Sequence, residues 1–262
     1  MNTIQTNTQY WKNKYLNVFS DKIGKLKNFQ LKFHIDKSVK PVQAKQRNHP
    51  FHLKAAIEEE IQRLLDEDII EEVRNEPSEW LSETVNIPKV GTNKVRICID
   101  MKAANRAVIR EKYLMPDVDN IIYKANGMKF FNKIDLNRAF QQIELHPASR
   151  PITRFRTHRG IFQSKRLVFG VSSAPEIFNN TIQKILEGIP AMVNATDDIL
   201  VMGKTEEESN QNVDKVLKRL DEHGLTVNEA KCQFNKSEIT FFGLHFTEKG
   251  VSLNETKTKA LN

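Results

Sequence analysis

Three aspartates carry the chemistry open to this chain. Asp197 and Asp198 stand side by side in "AMVNATDDILVM", residues 191 to 202, where apolar runs flank a polar tetrad and no basic residue adjoins the pair. Asp135 closes another largely apolar run, "GMKFFNKIDL". Asn and Asp suit tight turns, so the first stretch reads as a hairpin with both carboxylates at its tip; simple turn duty is the plain alternative. If the strand ending in Asp135 neighbours that hairpin, three carboxylates converge. Two unit charges ~4 Å apart repel by roughly 1 kcal/mol in water and ~4 kcal/mol at an effective dielectric of 20, so three together need protons or cations. Mg²⁺ prefers oxygen ligands and usually keeps substrate phosphates in its coordination sphere, which points such a cluster, beside a basic surface, toward phosphoryl transfer.

The elements that must position these groups are legible in outline. Residues 1 to about 50 have few periodic apolar positions and read as an extended arm rather than a core element. From Leu53 to about Asp68, Ile57, Ile61, Leu64 and Leu65 fall on one face of an amphipathic helix. "ETVNIPKV" and "KVRICID" read as strands around "VGTNK", a basic hairpin that gathers Lys89, Lys94 and Arg96. A helix opens with the capping-box pair Ser173 and Glu176, buries Phe178, Ile182, Ile185 and Leu186, and ends at Gly188. Another opens with Thr205 and Glu208, is lined by Val213, Val216, Leu217 and Leu220, and closes at Gly224. "EITFFGLHF" and "VSL" bracket "TEKG" as a last hairpin. Short, hairpin-like connections favour α+β, an antiparallel sheet backed by helices, over a doubly wound parallel sheet.

Composition narrows the setting. The chain has 262 residues, and 39% hydrophobic content is adequate for a packed core. A formal charge of +7 suits a polyanionic partner. No apolar run approaches the ~20 residues of a membrane span and no signal-peptide core is present, so the expected setting is cytoplasmic or nuclear, without membrane. Cys98 and Cys232 lack a CxxC or a nearby His set, which argues against a disulfide framework or zinc site; both read as half-buried strand residues. Sequons at Asn179, Asn194, Asn235 and Asn254 read as chance matches without a secretory route.

From "KVRICIDMKAANRAVI" through "NKIDLNRAFQQIEL" and "LVFGVSSAPEIF" to "NATDDILV", "HGLTVNEAKCQF" and "FFGLHF", the blocks resemble, in order, the reverse transcriptase of gypsy-like LTR retrotransposons. The resemblance covers about residues 31 to 253. It implies right-hand polymerase fingers and palm over residues 51 to 250, an arm over 1 to 50, and a truncated thumb starting at 251 to 262. It implies an RNA-directed DNA polymerase core, a nucleotidyltransferase that adds deoxynucleotides to a primer 3′-OH on an RNA or DNA template. "DLNRAF" and the "YxDD" block make Asp135, Asp197 and Asp198 the ligands of two Mg²⁺ ions, with Mn²⁺ as a substitute. Phe140 stands where the family keeps an aromatic gate against a ribose 2′-OH, with a core Phe as the alternative. Phe169 and Gly170 would face the nascent base pair, and Arg96 with Lys89 would grip the triphosphate; a solvated basic hairpin is the other reading of Lys89. Lys231 matches the proposed general acid to pyrophosphate, an exposed loop lysine being equally fair. Phe242 and Gly243 match the primer grip.

Two departures stand out. The tyrosine of "YxDD" is Ala195 here. The chain stops at Asn262, where a thumb should begin, with no protease block before it and no RNase H or integrase after it, as in a fragment of a polyprotein. Two other classes stay open: a non-catalytic remnant that only binds nucleic acid, and a plain metal-dependent phosphohydrolase needing no primer.

Overall fold

The computed structural model describes residues 3–45, 47, 50–110, 113 and 117–253. Its helices are α1 (Thr3–Lys14), α2 (Lys54–Asp66), α3 (Val118–Ala125), α4 (Ala174–Ile185) and α5 (Glu206–Glu222). Its strands are β1 (Ile70–Glu72), β2 (Thr84–Pro88), β3 (Val95–Ile99), β4 (Phe130–Asp135), β5 (Phe155–Thr157), β6 (Gly160–Ser164), β7 (Met192–Ala195), β8 (Asp198–Gly203), β9 (Gln233–Lys236), β10 (Glu238–Phe241), β11 (Leu244–Thr247) and β12 (Gly250–Leu253). The chain forms two compact units, one of residues 1–27, 113–139 and 176–262, the other of residues 28–112 and 140–175.

In the first unit β7-β8-β4-β9 form a four-stranded antiparallel sheet. Its central strand β8 is buried on both sides, from Ile199 to Met202, and the period of two in a strand explains how. Leu200 and Met202, with Phe131, Val193 and Ala195, pack against Phe241 and Phe246 of the β10-β11-β12 sheet. On the opposite face lies α5, with Val213, Val216, Leu217 and Leu220 fully buried. The Thr205 side chain accepts from Glu208 N as the capping pattern predicts. The α4 stripe of Phe178, Ile182, Ile185 and Leu186 is buried as expected. Ser173 does not cap α4, however: its hydroxyl is buried without a hydrogen-bond partner.

The expected arm is partly something else. Thr3–Lys14 is a helix, and Trp11, Tyr15, Val18 and Phe19 are buried at i, i+4, i+7 and i+8, a core-facing stripe diluted in the sequence by Asn, Thr and Gln. The segment that follows is lashed to the loop after α5. Val227 N donates to Val18 O (2.8 Å), Lys25 N to Gly224 O (2.9 Å) and Lys27 N to His223 O (3.0 Å). Gly24 N donates to Thr226 Oγ1 (2.9 Å), whose hydroxyl in turn donates to Lys22 O (3.1 Å). The "EITFFGLHF" run is two strands rather than one, because Phe242 and Gly243 both take positive φ (51° and 79°) and turn the chain at β10–β11. Cys98 lies in β3 and is half-buried; Cys232 is half-buried too, but follows a short 3-10 turn, Glu229–Lys231, instead of lying in a strand. Of the thumb-start residues, 254–262 lie outside the described residues.

The second unit holds α2, the β2-β3 hairpin and a β1-β6-β5 sheet. Buried Arg154 organises its interior, donating to Pro77 O (2.6 Å), Ser78 Oγ (3.1 Å) and Gln163 Oε1 (3.0 Å) and pairing with Glu76. Every named strand pair in the described residues is antiparallel, so the α+β expectation stands. No helix among the described residues is long and apolar enough to cross a membrane.

Candidate active site

In the first unit, the hairpin and the strand ending in Asp135 are neighbours, in a register that sets Asp135 directly opposite Asp198. Opposed residues on one face of an antiparallel pair have Cβ atoms about 4.5–5.5 Å apart, and like charges there are unfavourable. Asp197 occupies the two-residue turn before β8, and its carbonyl accepts from Leu136 N (2.8 Å). Ala195 is the partner of Asp198 on the other side, so Ala195, Asp198 and Asp135 form one row across three strands.

Two lysines answer the charge. Lys133 lies two residues before Asp135, on the same face and diagonal to Asp198, and its Nζ is 2.8 Å from Asp198 Oδ2. Lys231 reaches Asp135 Oδ2 at 3.3 Å, because Asn228 N donates to Asp135 O (2.8 Å) and the following 3-10 turn folds back over the strand end. Burial pushes the Asp135 carboxyl above its ordinary value, against the pull of Lys231. Burial, then the charge of Asp198, pushes Asp197 up as well. Asp197 Oδ1 and Asp198 Oδ1 are buried without a hydrogen-bond partner.

Among the described residues no three His, Cys, Asp or Glu side chains surround a single ion position, since Asp135 and Asp198 are turned to their lysines. The donor set still fits a hard divalent cation: it is all oxygen, and two buried carboxylate oxygens lack a partner. Lys133 was not read from the sequence, although a lysine inside an apolar strand two residues from an aspartate is a visible signal. Replacing Lys133 with Met should tighten Mn²⁺ binding by up to about fivefold, since a partly exposed ion pair is worth roughly 0.2–1 kcal/mol. Isothermal titration of the two proteins checks it.

The second unit gathers the expected nucleotide-binding residues. Pairing of Ile87 with Arg96 and the Lys89 N to Lys94 O bond (2.8 Å) put Lys89, Lys94 and Arg96 on one face of the β2–β3 hairpin, all exposed. Phe140 is buried and its ring meets that of half-exposed Phe169, centroids 4.9 Å apart at 49°. Gly170 has φ +101°, and a Cβ there would come within 3.0 Å of Ile99 O, so glycine is required for this loop to lie against β3. Asn105, which the sequence did not single out, fixes the loop by donating to Gly170 O (2.7 Å) and accepting from Ser172 N (3.0 Å). In the first unit, Phe242 and Gly243 are the tip of the β10–β11 turn, with Phe242 half-exposed.

Residues 87–246, more than half of the chain, match the family described as reverse transcriptase (RNA-dependent DNA polymerase). The chain belongs to the reverse transcriptase family. This reverse transcriptase chain is 30% identical over 252 residues to an uncharacterized Caenorhabditis elegans protein, covering 95% of the chain and 20% of that protein. It is 30% identical over 228 residues to the retrovirus-related Pol polyprotein from transposon 412 of Drosophila melanogaster, covering 84% of the chain and 18% of the polyprotein. A Tf2-3 transposon polyprotein of Schizosaccharomyces pombe is 34% identical over 164 residues, 62% of the chain and 12% of that protein. The reverse transcriptase chain thus spans about a fifth or less of the length of these relatives. Among solved structures, a foamy viral protease-reverse transcriptase in complex with double-stranded DNA superposes with a TM-score of 0.86 at 24% identity, over 100% of this chain and 46% of that one. That likeness establishes the fold, the fingers and palm of a reverse transcriptase.

Proposed function

We propose that this chain is the fingers-and-palm core of an RNA-directed DNA polymerase, part of a retrotransposon polyprotein, that adds deoxynucleotides to a primer annealed to RNA or DNA. The observation that carries the reading is the register of β4 against β8, which sets Asp135 opposite Asp198 with Asp197 beside it and leaves carboxylate oxygens unpartnered. The foamy viral protein, similar in fold, is described in complexes with double-stranded DNA and with an RNA/DNA hybrid.

Asp135, Asp197 and Asp198 would hold two Mg²⁺ ions, which when bound lower the pKa of the primer 3′-OH and neutralise charge on the triphosphate. Lys231, beside Asp135, would deliver a proton to the departing pyrophosphate. Arg96, with Lys89, presents cationic donors for the triphosphate from the hairpin face. Phe169 and Gly170 would bear on the nascent pair, and the Phe242–Gly243 tip would hold the primer end. Phe140, rigid against Phe169, would exclude a 2′-OH. Phe140→Ala should therefore admit ribonucleotides, read as a fall in the deoxy-to-ribo ratio of kcat/KM; unchanged sugar selectivity removes Phe140 from this role.

The test is extension of an oligo-dT primer on poly-A with Mg²⁺ or Mn²⁺, beside the Asp197→Asn variant. Extension by the wild type alone supports the polymerase. Ala195, where the family block has tyrosine, favours one second reading, a remnant that binds primer–template without extending it; binding without extension in both proteins would select that reading.

A further inference from the structure

The acidic turn is held by a residue that lies just outside the family-like blocks. Thr196, between Ala195 and Asp197, has φ +55°, a left-handed conformation that is an outlier for a β-branched side chain. Its N–H donates to Asn179 Oδ1 at 2.9 Å. Asn194 Nδ2, two residues earlier, donates to the same oxygen and to the Asn179 backbone carbonyl, both at 3.2 Å. Asn179 is 0% exposed and Asn194 2% exposed. Asn194 points away from Val193 and Ala195, which face the β10–β11–β12 sheet, and so toward α4. The α4 helix is a firm base: Phe178 and Ile182 on either side of Asn179 are core residues, and Arg219 Nη1 ties its last turn through Ile185 O at 2.9 Å. On its far side the turn is fixed by Leu136 N on Asp197 O (2.8 Å).

We propose that Asn179 is a positioning residue whose side-chain carbonyl holds Thr196 left-handed and thereby sets the stance of the Asp197 and Asp198 carboxylates. The proposal rests on the reading of those carboxylates as metal ligands. Thr196 N–H has its buried acceptor only while residue 196 keeps this conformation. Without that acceptor the peptide before Asp197 is released toward negative φ, and the carboxylates move with it. Glycine, which takes positive φ freely, would hold the turn without such help.

That difference supplies the experiment. Mn²⁺ affinity and, separately, kcat and KM for a deoxynucleoside triphosphate are measured for wild type, Asn179→Ala, Thr196→Gly and the double variant. Expected are an approximately tenfold weaker Mn²⁺ affinity and a similar fall in kcat for Asn179→Ala, with KM little changed. In the Thr196→Gly background the same substitution should cost about threefold or less. Wild-type Mn²⁺ affinity in Asn179→Ala, or equal losses in both backgrounds, overturns the proposal. Should Asn179→Ala fail to fold, Asn179→Ser, whose hydroxyl falls short of Thr196 N, carries the same comparison. Asp197→Asn separates the two levels: if it binds Mn²⁺ like the wild type, the metal reading itself fails, whereas a wild-type site lost in Asp197→Asn but untouched in Asn179→Ala defeats the positioning role alone.

Discussion

With Asn in place of Asp197, primer extension should fall by at least about a thousandfold, while the folded protein becomes harder to unfold. The loss follows from removing a charged oxygen from the proposed metal-holding carboxylates: metal stabilisation of transferring phosphate is worth several kcal/mol, and each 1.36 kcal/mol is about tenfold in rate. The gain follows from the same charge. Burial and Asp198 raise the Asp197 carboxyl above its ordinary value of 3.8, so the folded protein holds that proton more tightly than the unfolded chain. Its contribution to stability is fully present below 3.8 and is lost as pH rises through the higher folded value, leaving a net cost at neutral pH. Asn keeps the shape without the charge. At pH 7 the variant should melt higher, by about 2–4 °C for each kcal/mol recovered, and at pH below 3.8 the advantage should vanish. Mg²⁺ should raise the melting temperature of the wild type and leave the variant unmoved. A variant that still extends primers would remove Asp197 from the chemistry.

Gly203→Ala is expected to be among the most damaging single-methyl additions in the first unit. Gly203 ends β8 where the first turn of α5 crosses it, and a Cβ would overlap Ser209 N and lie 2.6 Å from its Cα and 2.8 Å from its Cβ. These are backbone and Cβ atoms, so no flexible side chain can swing aside. Ser209 cannot retreat alone either: it is fully buried, and its hydroxyl accepts from Asn132 Nδ2 at 2.7 Å, while Asn132 Oδ1 accepts from Asn235 N at 2.7 Å. Overpacking costs about 1–3 kcal/mol where neighbours can shift, and this site belongs at or beyond the upper end. Thermal unfolding should show a drop on the order of 10 °C. Gly127→Ala is the control: its φ is +74° but nothing lies within 4 Å of the new methyl. Only the left-handed penalty of roughly 1–2 kcal/mol should appear there. Equal losses at the two positions would mean that α5 yields at Ser209.

Local pattern made the helices readable. The stripes of α2, α4 and α5 each carry three or more apolar residues at helical spacing, and burial follows them. In α1 the same spacing of Trp11, Tyr15, Val18 and Phe19 runs past the helix end and among polar residues, so the element read as an arm. The Phe242 turn was obscured for another reason: an aromatic run favours strand, and only the following glycine hints that the chain reverses. Motif order singled out Asp135, Asp197 and Asp198 as candidates, but no spacing shows which strand pairs with which. The opposition of Asp135 and Asp198 is a long-range register, and the lysines that answer it arrive from β4 itself and from a turn near residue 231. Asn179 was beyond reach, because its partners lie 15 and 17 residues away and become neighbours only when α4 packs on the hairpin.

The lashing of residues 18–27 to residues 223–227 bears on where this protein can be cut. The stretch that matches the family, 87–246, leaves that strap behind. A recombinant piece trimmed to those limits would expose Leu225 and Val227 and free the loop whose next residue, Asn228, grips the Asp135 backbone. A fragment meant to keep that loop, and with it the hold on Asp135, should therefore begin upstream of residue 18, well before the residues by which its kinship is recognised.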